Sequence, residues 1–249
     1  MDLSAPPTVL LLAFLPAIMW GFTPVIEKRA LSGGGTPLQA AVTVVVVDST
    51  VYLVALALFQ PDPFGDLTLG TLAIFAAAGA VGTALGRLAI FAGNARVGAS
   101  ISSAVVSARP LFATTLAVGF LGEPLTLPTG VGIVVLVVGL GVLSVAKGGD
   151  LGGWSRRDLL VPLAAAGFFA VGNVARRWGL SAAEATPLEA VAVNELAAFV
   201  ALGAYVAVAG RDRVLGRPRK SYLVFAASGL ITAVALLSMF TALSHPAGR

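Results

Sequence analysis

The sequence predicts an all-α membrane protein, a polytopic bundle of eight transmembrane helices. Three observations lead there. Of 249 residues, 57% are hydrophobic and 11% charged, with a mean hydropathy of +0.94, where a soluble domain carries about 25% charge. The apolar residues gather in eight runs of spanning length, near 8–27, 37–59, 68–92, 97–121, 126–146, 158–178, 187–209 and 221–243. Each is long enough to cross a hydrocarbon core of about 30 Å at about 1.5 Å per residue. The connections are short and built of turn residues, so no soluble domain fits between spans. Unbroken apolarity favours helices over barrel strands, which alternate in segments of about ten residues.

The first span follows Met1-Asp2, with no Lys or Arg before it. It lacks the basic region of a cleaved signal peptide and is expected to stay in the mature protein. Trp20-Gly21 and Pro24 interrupt its apolar run. Ser32-Gly33-Gly34-Gly35 turns the chain into the second span, which carries Asp48 at its middle. Gln60-Pro61-Asp62-Pro63 is the next turn. The third span holds a stripe of Gly79, Gly82, Gly86 and Gly93 with Thr83, suited to close helix packing. It also carries Arg87, about two turns from its centre. Gly93-Asn94-Ala95-Arg96 is read as the turn that follows.

The stretch Val97 to Pro128 organises the rest. About 25 of its residues pass with a single charge, Arg109, in the middle. Its first half is small (Gly98, Ala99, Ser100, Ser102, Ser103, Ala104), which lets neighbouring backbones approach. Pro110 removes a backbone donor beside Arg109. Glu123 follows Gly122 and reads as a turn or capping residue. Gly148-Gly149-Asp150 with Gly152-Gly153 is the next break. The sixth span carries Asn173, with Trp154 and Trp178 near the span ends as interface anchors. The seventh carries Asn194-Glu195 in its first half.

Charges at the bilayer centre are functional candidates by default. Asp48, Arg87, Arg109 and Glu195 sum to zero, which suggests mutual neutralisation. Asp48 and Arg109 lie at matching depth and are expected to pair. The competing view makes that pair a purely structural pin. Glu195 has no basic neighbour in its own helix, so it is read as a lone carboxylate able to carry a proton, or as a hydrogen-bonded group near the rim. A central arginine suits a carboxylate substrate; one tied to Asp48 suits almost anything.

The chain also repeats itself. Thr36-Pro37-Leu38-Gln39-Ala40 recurs as Thr186-Pro187-Leu188-Glu189-Ala190, and Leu31-Ser32 as Leu180-Ser181. Thr83-Ala84 and Phe91 match Thr232-Ala233 and Phe240 in the same register of about 150 residues. The register makes Pro24 and Asn173 counterparts. Five spans separate the copies, an odd number, so they insert with opposite orientation, as inverted repeats of secondary transporters do. Residues 1–147 form the first repeat, with five helices, and 148–249 the second, with three. Carried forward, the register reaches Arg249 where a second copy of the fourth span is due. The expectation is eight helices of an inverted 5+5 repeat, the second repeat incomplete.

Basic residues divide unevenly among the connections. Lys28, Arg29, Arg96, Lys147, Arg156, Arg157, Arg211, Arg213, Arg217, Arg219 and Lys220 lie on one side; Arg176, Arg177 and Arg249 lie on the other. The positive-inside rule then places the N-terminus outside. The net charge of +4 reads as this loop bias, with no nucleic-acid partner expected. There is no cysteine, one histidine (His245), no metal-ligand set, no Gly-x-Ser-x-Gly elbow and no phosphate loop. No enzyme activity, catalytic residue, metal or cofactor is expected.

Trp20-Gly21, the Thr-Pro-Leu opening of span two and the run GAS…ARPLFATTLAVGFLGEPLT…G from Gly98 to about Gly139 resemble the drug/metabolite transporter superfamily, EamA type. The resemblance covers nearly the whole chain and identifies family better than substrate. It implies a ten-helix carrier of two inverted halves, with helices one, three, four, six, eight and nine around a central cavity. Trp20, Arg87, Arg109 and Asn173 would then face the substrate path, and termini would be cytoplasmic. The expected function is secondary transport of a small metabolite or drug across the cytoplasmic membrane by alternating access. The alternative is a non-transporting membrane subunit or a non-functional fragment of such a carrier. The expected partners are a small-molecule substrate and the lipid bilayer, with a homodimer left open.

Overall fold

A computed structural model of the protein describes residues 6–65, 67–122, 124–145, 153–182 and 185–245. Met1-Asp2, Glu123, Lys147, Gly148-Gly149-Asp150, Gly152 and Arg249, singled out above, lie outside the described residues. The described residues are predominantly helical, with no strand among them. Among the described residues the helices form eight rods. Seven are long and apolar enough to cross a membrane on the described residues, and the eighth is the 19-residue α7.

Helix α1 spans Pro7–Ser32 and runs unbroken through Pro16 and Pro24. It is longer than its apolar run: Glu27, Lys28 and Arg29 fall in its last turns. Arg29 there suits the negative end of the helix dipole. Gly34, at φ +98°, turns the chain toward α2 (Pro37–Phe59). Thr36 and Gln39 cap α2 reciprocally, with Pro37 in its first turn.

The third rod is continuous from Leu69 to Val97. It consists of α3 (Leu69–Ala77), a π-helical segment (Ala78–Leu85) and α4 (Gly86–Val97). The turn expected at Gly93-Asn94-Ala95-Arg96 is helical instead. Gly93 serves a close approach: a Cβ there would lie 2.8 Å from Ser102 Oγ and 3.2 Å from Pro162. The chain turns at Gly98, φ +87°. The fourth rod is broken into α5 (Ala99–Val106) and α6 (Arg109–Leu121). The break at Ser107-Ala108 stands just before Pro110, whose nitrogen cannot donate to the preceding turn. Gly122 closes α6 in the left-handed conformation. After α7 (Leu127–Val145), a short 3₁₀ turn capped by Ser155 and Asp158 leads into α8 (Leu160–Ala182). Helices α9 (Pro187–Ala209) and α10 (Arg219–Ser244) follow.

Contacts across the bundle are reciprocal in the register read from the sequence. Thr36 Oγ1 donates to the Arg213 carbonyl, 2.6 Å, beyond the end of α9. Gln60 Nε2 donates to Thr186 Oγ1, 3.0 Å, and the Phe64 amide donates to Glu189 Oε1, 3.0 Å, beyond the end of α2. Each cap docks on the loop past the other helix, so α2 and α9 run antiparallel. Phe75 meets Phe240, with centroids 6.4 Å apart, and Phe91 meets Phe225 at 6.1 Å. Exchanging the two copies turns one pair into the other. The glycines behave alike: a Cβ on Gly79 would meet the carbonyl of Asn194, and one on its counterpart Gly229 would approach that of Val44, the counterpart of Asn194. Two apolar cores follow. One holds Leu31, Ala40, Ala84, Phe91 and Phe225; the other holds their counterparts Leu180, Ala190, Ala233, Phe240 and Phe75.

The register slips by one residue between Phe75 and Thr83, where α10 has one residue fewer. That extra residue falls in the π-helical segment. A single insertion absorbed as a wide turn is how π segments arise inside α-helices.

Both threonine caps are testable. Thr36→Ala and Thr186→Ala are each expected to lower unfolding stability by about 1 kcal/mol. The two losses are expected to be similar, since Thr36→Ala also gives up the bond to Arg213 and Thr186→Ala the bond from Gln60. Thermal melting in detergent micelles measures both.

Candidate functional site

Two buried polar clusters and one cavity meet at the middle of the bundle. In the first cluster, Arg87 on α4 reaches Asp48 on α2 (Nη2 to Oδ2, 2.5 Å) and Glu195 on α9 (Nη1 to Oε2, 3.0 Å). Asp48 and Glu195 are fully buried and Arg87 is 7% exposed. Charged groups so placed are tolerated when paired and hydrogen-bonded. Glu195 also accepts from Asn194 Nδ2, 3.0 Å, through its Oε1.

The second cluster is centred on Arg176 of α8. Its Nε donates to Asn194 Oδ1 (3.0 Å), its Nη1 to Asn173 Oδ1 (3.0 Å) and its Nη2 to Thr83 Oγ1 (2.7 Å). Asn194 Nδ2 also donates to Thr83 Oγ1, 2.8 Å. Asn194 thereby joins the two clusters, with both amide protons and its carbonyl engaged. Thr83 sits in the π-helical segment, one turn from Arg87 on the same rod. The combined network holds Asp48, Glu195, Arg87 and Arg176, two charges of each sign. The glycines of the third rod make it reachable: Gly82 and Gly172 bring that rod against α8, with a Cβ on Gly82 only 2.5 Å from Gly172 Cα.

Beside this network lies a cavity of about 370 Å³. Its walls come from α1, α4, α5, α8, α10, the π-helical segment and the kink before α6, with Val44 added from α2. Trp20, Arg87, Arg109 and Asn173 all line it. Asp48 and Glu195 are not in its wall; they hold Arg87 from behind. The Arg109 guanidinium lies 5.9 Å from the Trp20 ring and 5.5 Å from the Phe169 ring. These two aromatics are counterparts in the repeat register. Glu27 also faces the cavity and accepts a short hydrogen bond from Ser228 Oγ.

A profile of the EamA-like transporter family matches residues 7–145. The chain belongs to that family. It is a multi-pass helical membrane protein of the drug/metabolite transporter superfamily, in which the EamA-like family stands. Among curated proteins, none matches the chain.

Three expectations from the sequence are corrected by this EamA-like structure. Asp48 pairs with Arg87, not with Arg109. Arg109 instead sits at the kink of the fourth rod, between aromatic rings on α1 and α8. Glu195 is not a lone carboxylate: Arg87 comes from a different helix, out of reach of any single-helix reading. Arg176 does not belong with the loop charges, because α8 continues to Ala182 and Arg176 is 3% exposed. The neutral set of four survives with Arg176 in place of Arg109.

Sequence reasoning missed Arg176 and Glu27 as interior residues. Both stood beside further basic residues, Arg177 and Lys28-Arg29, that marked the loop. The signal that would have found them is the repeat register, in which Glu27 and Arg176 occupy equivalent positions. Trp178 is 53% exposed in the last turns of α8, where an interface anchor belongs. Trp154 instead packs against the cluster of Val97, Val105 and Leu159.

Proposed function

We propose that this chain moves a small molecule across the cytoplasmic membrane by alternating access, with the central cavity as the substrate path. The observation that carries this is the cavity itself. It lies among the rods of both repeats, beside a buried charged network, where transporters built of opposed repeats hold their substrates. The repeats are residues 1–147 and 148–249. Trp20, Arg109 and Asn173 are the residues in contact with the substrate. Arg87, held by Asp48 and Glu195, carries the cavity wall between the copies. Family membership supports the reading, since this family is one of transporters.

The test is reconstitution of the full chain into liposomes loaded with labelled metabolites. Protein-dependent flux is expected, and Asn173→Ala is expected to slow it by about tenfold through loss of an aligned polar contact. Flux no greater than in empty liposomes, across a broad metabolite panel, would count against the proposal.

A further inference from the structure

Three guanidinium groups lie inside the bundle, and they are not equivalent. Arg87 spends its donors on two carboxylates. Arg176 spends its donors on two amide carbonyls and a hydroxyl. Arg109 has neither an ion pair nor a side-chain hydrogen bond among the described residues; its contacts are the two rings. A guanidinium carries its five N–H donors in its own plane, as a fork that fits a carboxylate with two parallel bonds. Aromatic groups hold the cation and accept none of those hydrogen bonds. They fix its position and leave its fork for another molecule.

The surroundings select the kind of molecule. The acidic residue in the cavity wall, Glu27, is already engaged by Ser228. An unmatched cation in a low-dielectric site calls for an anion. The volume of about 370 Å³ is at the small end of ligand sites, which run from about 300 to 1,000 Å³. Trp20 and Phe169 flank Arg109, and the rest of the wall mixes apolar side chains such as Ala17, Val106 and Leu236 with the polar Ser103, Ser107 and Asn173.

We infer that the substrate is a small organic carboxylate with an apolar body, and that Arg109 grips its carboxylate between Trp20 and Phe169. This rests on the cavity being the substrate path. Charge-assisted paired bonds set the selectivity, and the rings pre-organise the cation that makes them.

The experiment uses the full chain in detergent with Trp154→Phe and Trp178→Phe, leaving Trp20 as the reporter indole among the original three tryptophans. The probes are acetate, butyrate, benzoate and phenylacetate, each beside its primary amide, with inorganic phosphate as a further anion. At least one carboxylate is expected to quench Trp20 saturably, binding about tenfold or more tightly than its amide. Arg109→Gln is expected to abolish the difference. Arg109→Lys, which keeps the charge and loses the fork, is expected to retain a fraction of it. The amide comparison is made on unmutated Arg109 and stands even if a variant misfolds.

Binding by none of the four carboxylates, equal binding by the amides, equal binding by phosphate, or undiminished binding in a folded Arg109→Gln would each overturn the inference. Failure here with measurable flux of some other molecule leaves the transport reading standing. Carboxylate binding without flux removes transport and leaves the Arg109 assignment in place.

Discussion

Arg87→Met is expected to be the most damaging single substitution in the protein. It strands Asp48 and Glu195, both fully buried, without their shared cation. Removing one member of a buried ionic set typically destabilises by about 3–5 kcal/mol, because charge is left uncompensated. That is a large part of a total stability of about 5–15 kcal/mol. The full replacement Asp48→Asn/Arg87→Met/Glu195→Gln is expected to recover most of the loss, since no unmatched charge then remains. Thermal melting and gel filtration in detergent compare the single, the triple and the parent. A single variant that melts with the parent would show that Arg87 is not what neutralises the two acids. A triple variant as unstable as the single would show that packing, not charge, is lost.

Gly79→Ala is expected to come next. An ideal Cβ at Gly79 would lie 1.9 Å from the carbonyl oxygen of Asn194. The atom in the way is backbone, so no side-chain rotation relieves the clash; the π-helical segment and α9 must move apart. Overpacking typically destabilises by about 1–3 kcal/mol, and here the displaced turn of α9 carries Asn194 and Glu195. Loss of stability should therefore be accompanied by loss of the polar network. The counterpart Gly229→Ala meets Val47 Cβ at 2.9 Å and the Val44 carbonyl at 3.3 Å, less close than the 1.9 Å at Gly79, and is expected to be milder. Gly21→Ala meets nothing within 4 Å and is the matched control. Melting temperatures in the order Gly21→Ala, Gly229→Ala, Gly79→Ala, from highest to lowest, are the expected outcome. Equal values for Gly79→Ala and Gly21→Ala would refute the close approach of the two helices.

The rods were legible because lipid imposes one rule on every span: backbone groups must bond within the segment, so spanning apolar runs are helices. Their ends were less legible. Lys28, Arg29 and Arg176 looked like loop residues, yet a helix end continues past its apolar run wherever polar groups find partners, as Arg176 does in Asn173 and Asn194. Gly93 looked like a turn, but a glycine gives the same one-letter signal whether it frees the backbone or admits a neighbour. The glycine stripe was readable, and Gly79, Gly82, Gly86 and Gly93 all face another helix at close range.

Which ions pair was not readable. Asp48, Arg87 and Glu195 stand on three helices, and the azimuth of each side chain depends on packing. For Arg87 it also depends on the π-helical turn upstream. Four of the six residues singled out, Trp20, Arg87, Arg109 and Asn173, do share one cavity. They were chosen by the cost of polarity in lipid and by family resemblance, and that criterion picked out residues that line one cavity even where it mismatched the partners.

The crossed aromatic pairs have a consequence for biosynthesis. Phe75 finds its ring partner in Phe240 and Phe91 finds its own in Phe225, while the Tyr52 hydroxyl donates to the carbonyl of Ala233, 2.7 Å away. Every one of these waits for α10, which is synthesised after the first three rods. The early helices therefore enter the bilayer with their inner faces unmatched, and must be sheltered by lipid or by the insertion machinery until α10 joins them.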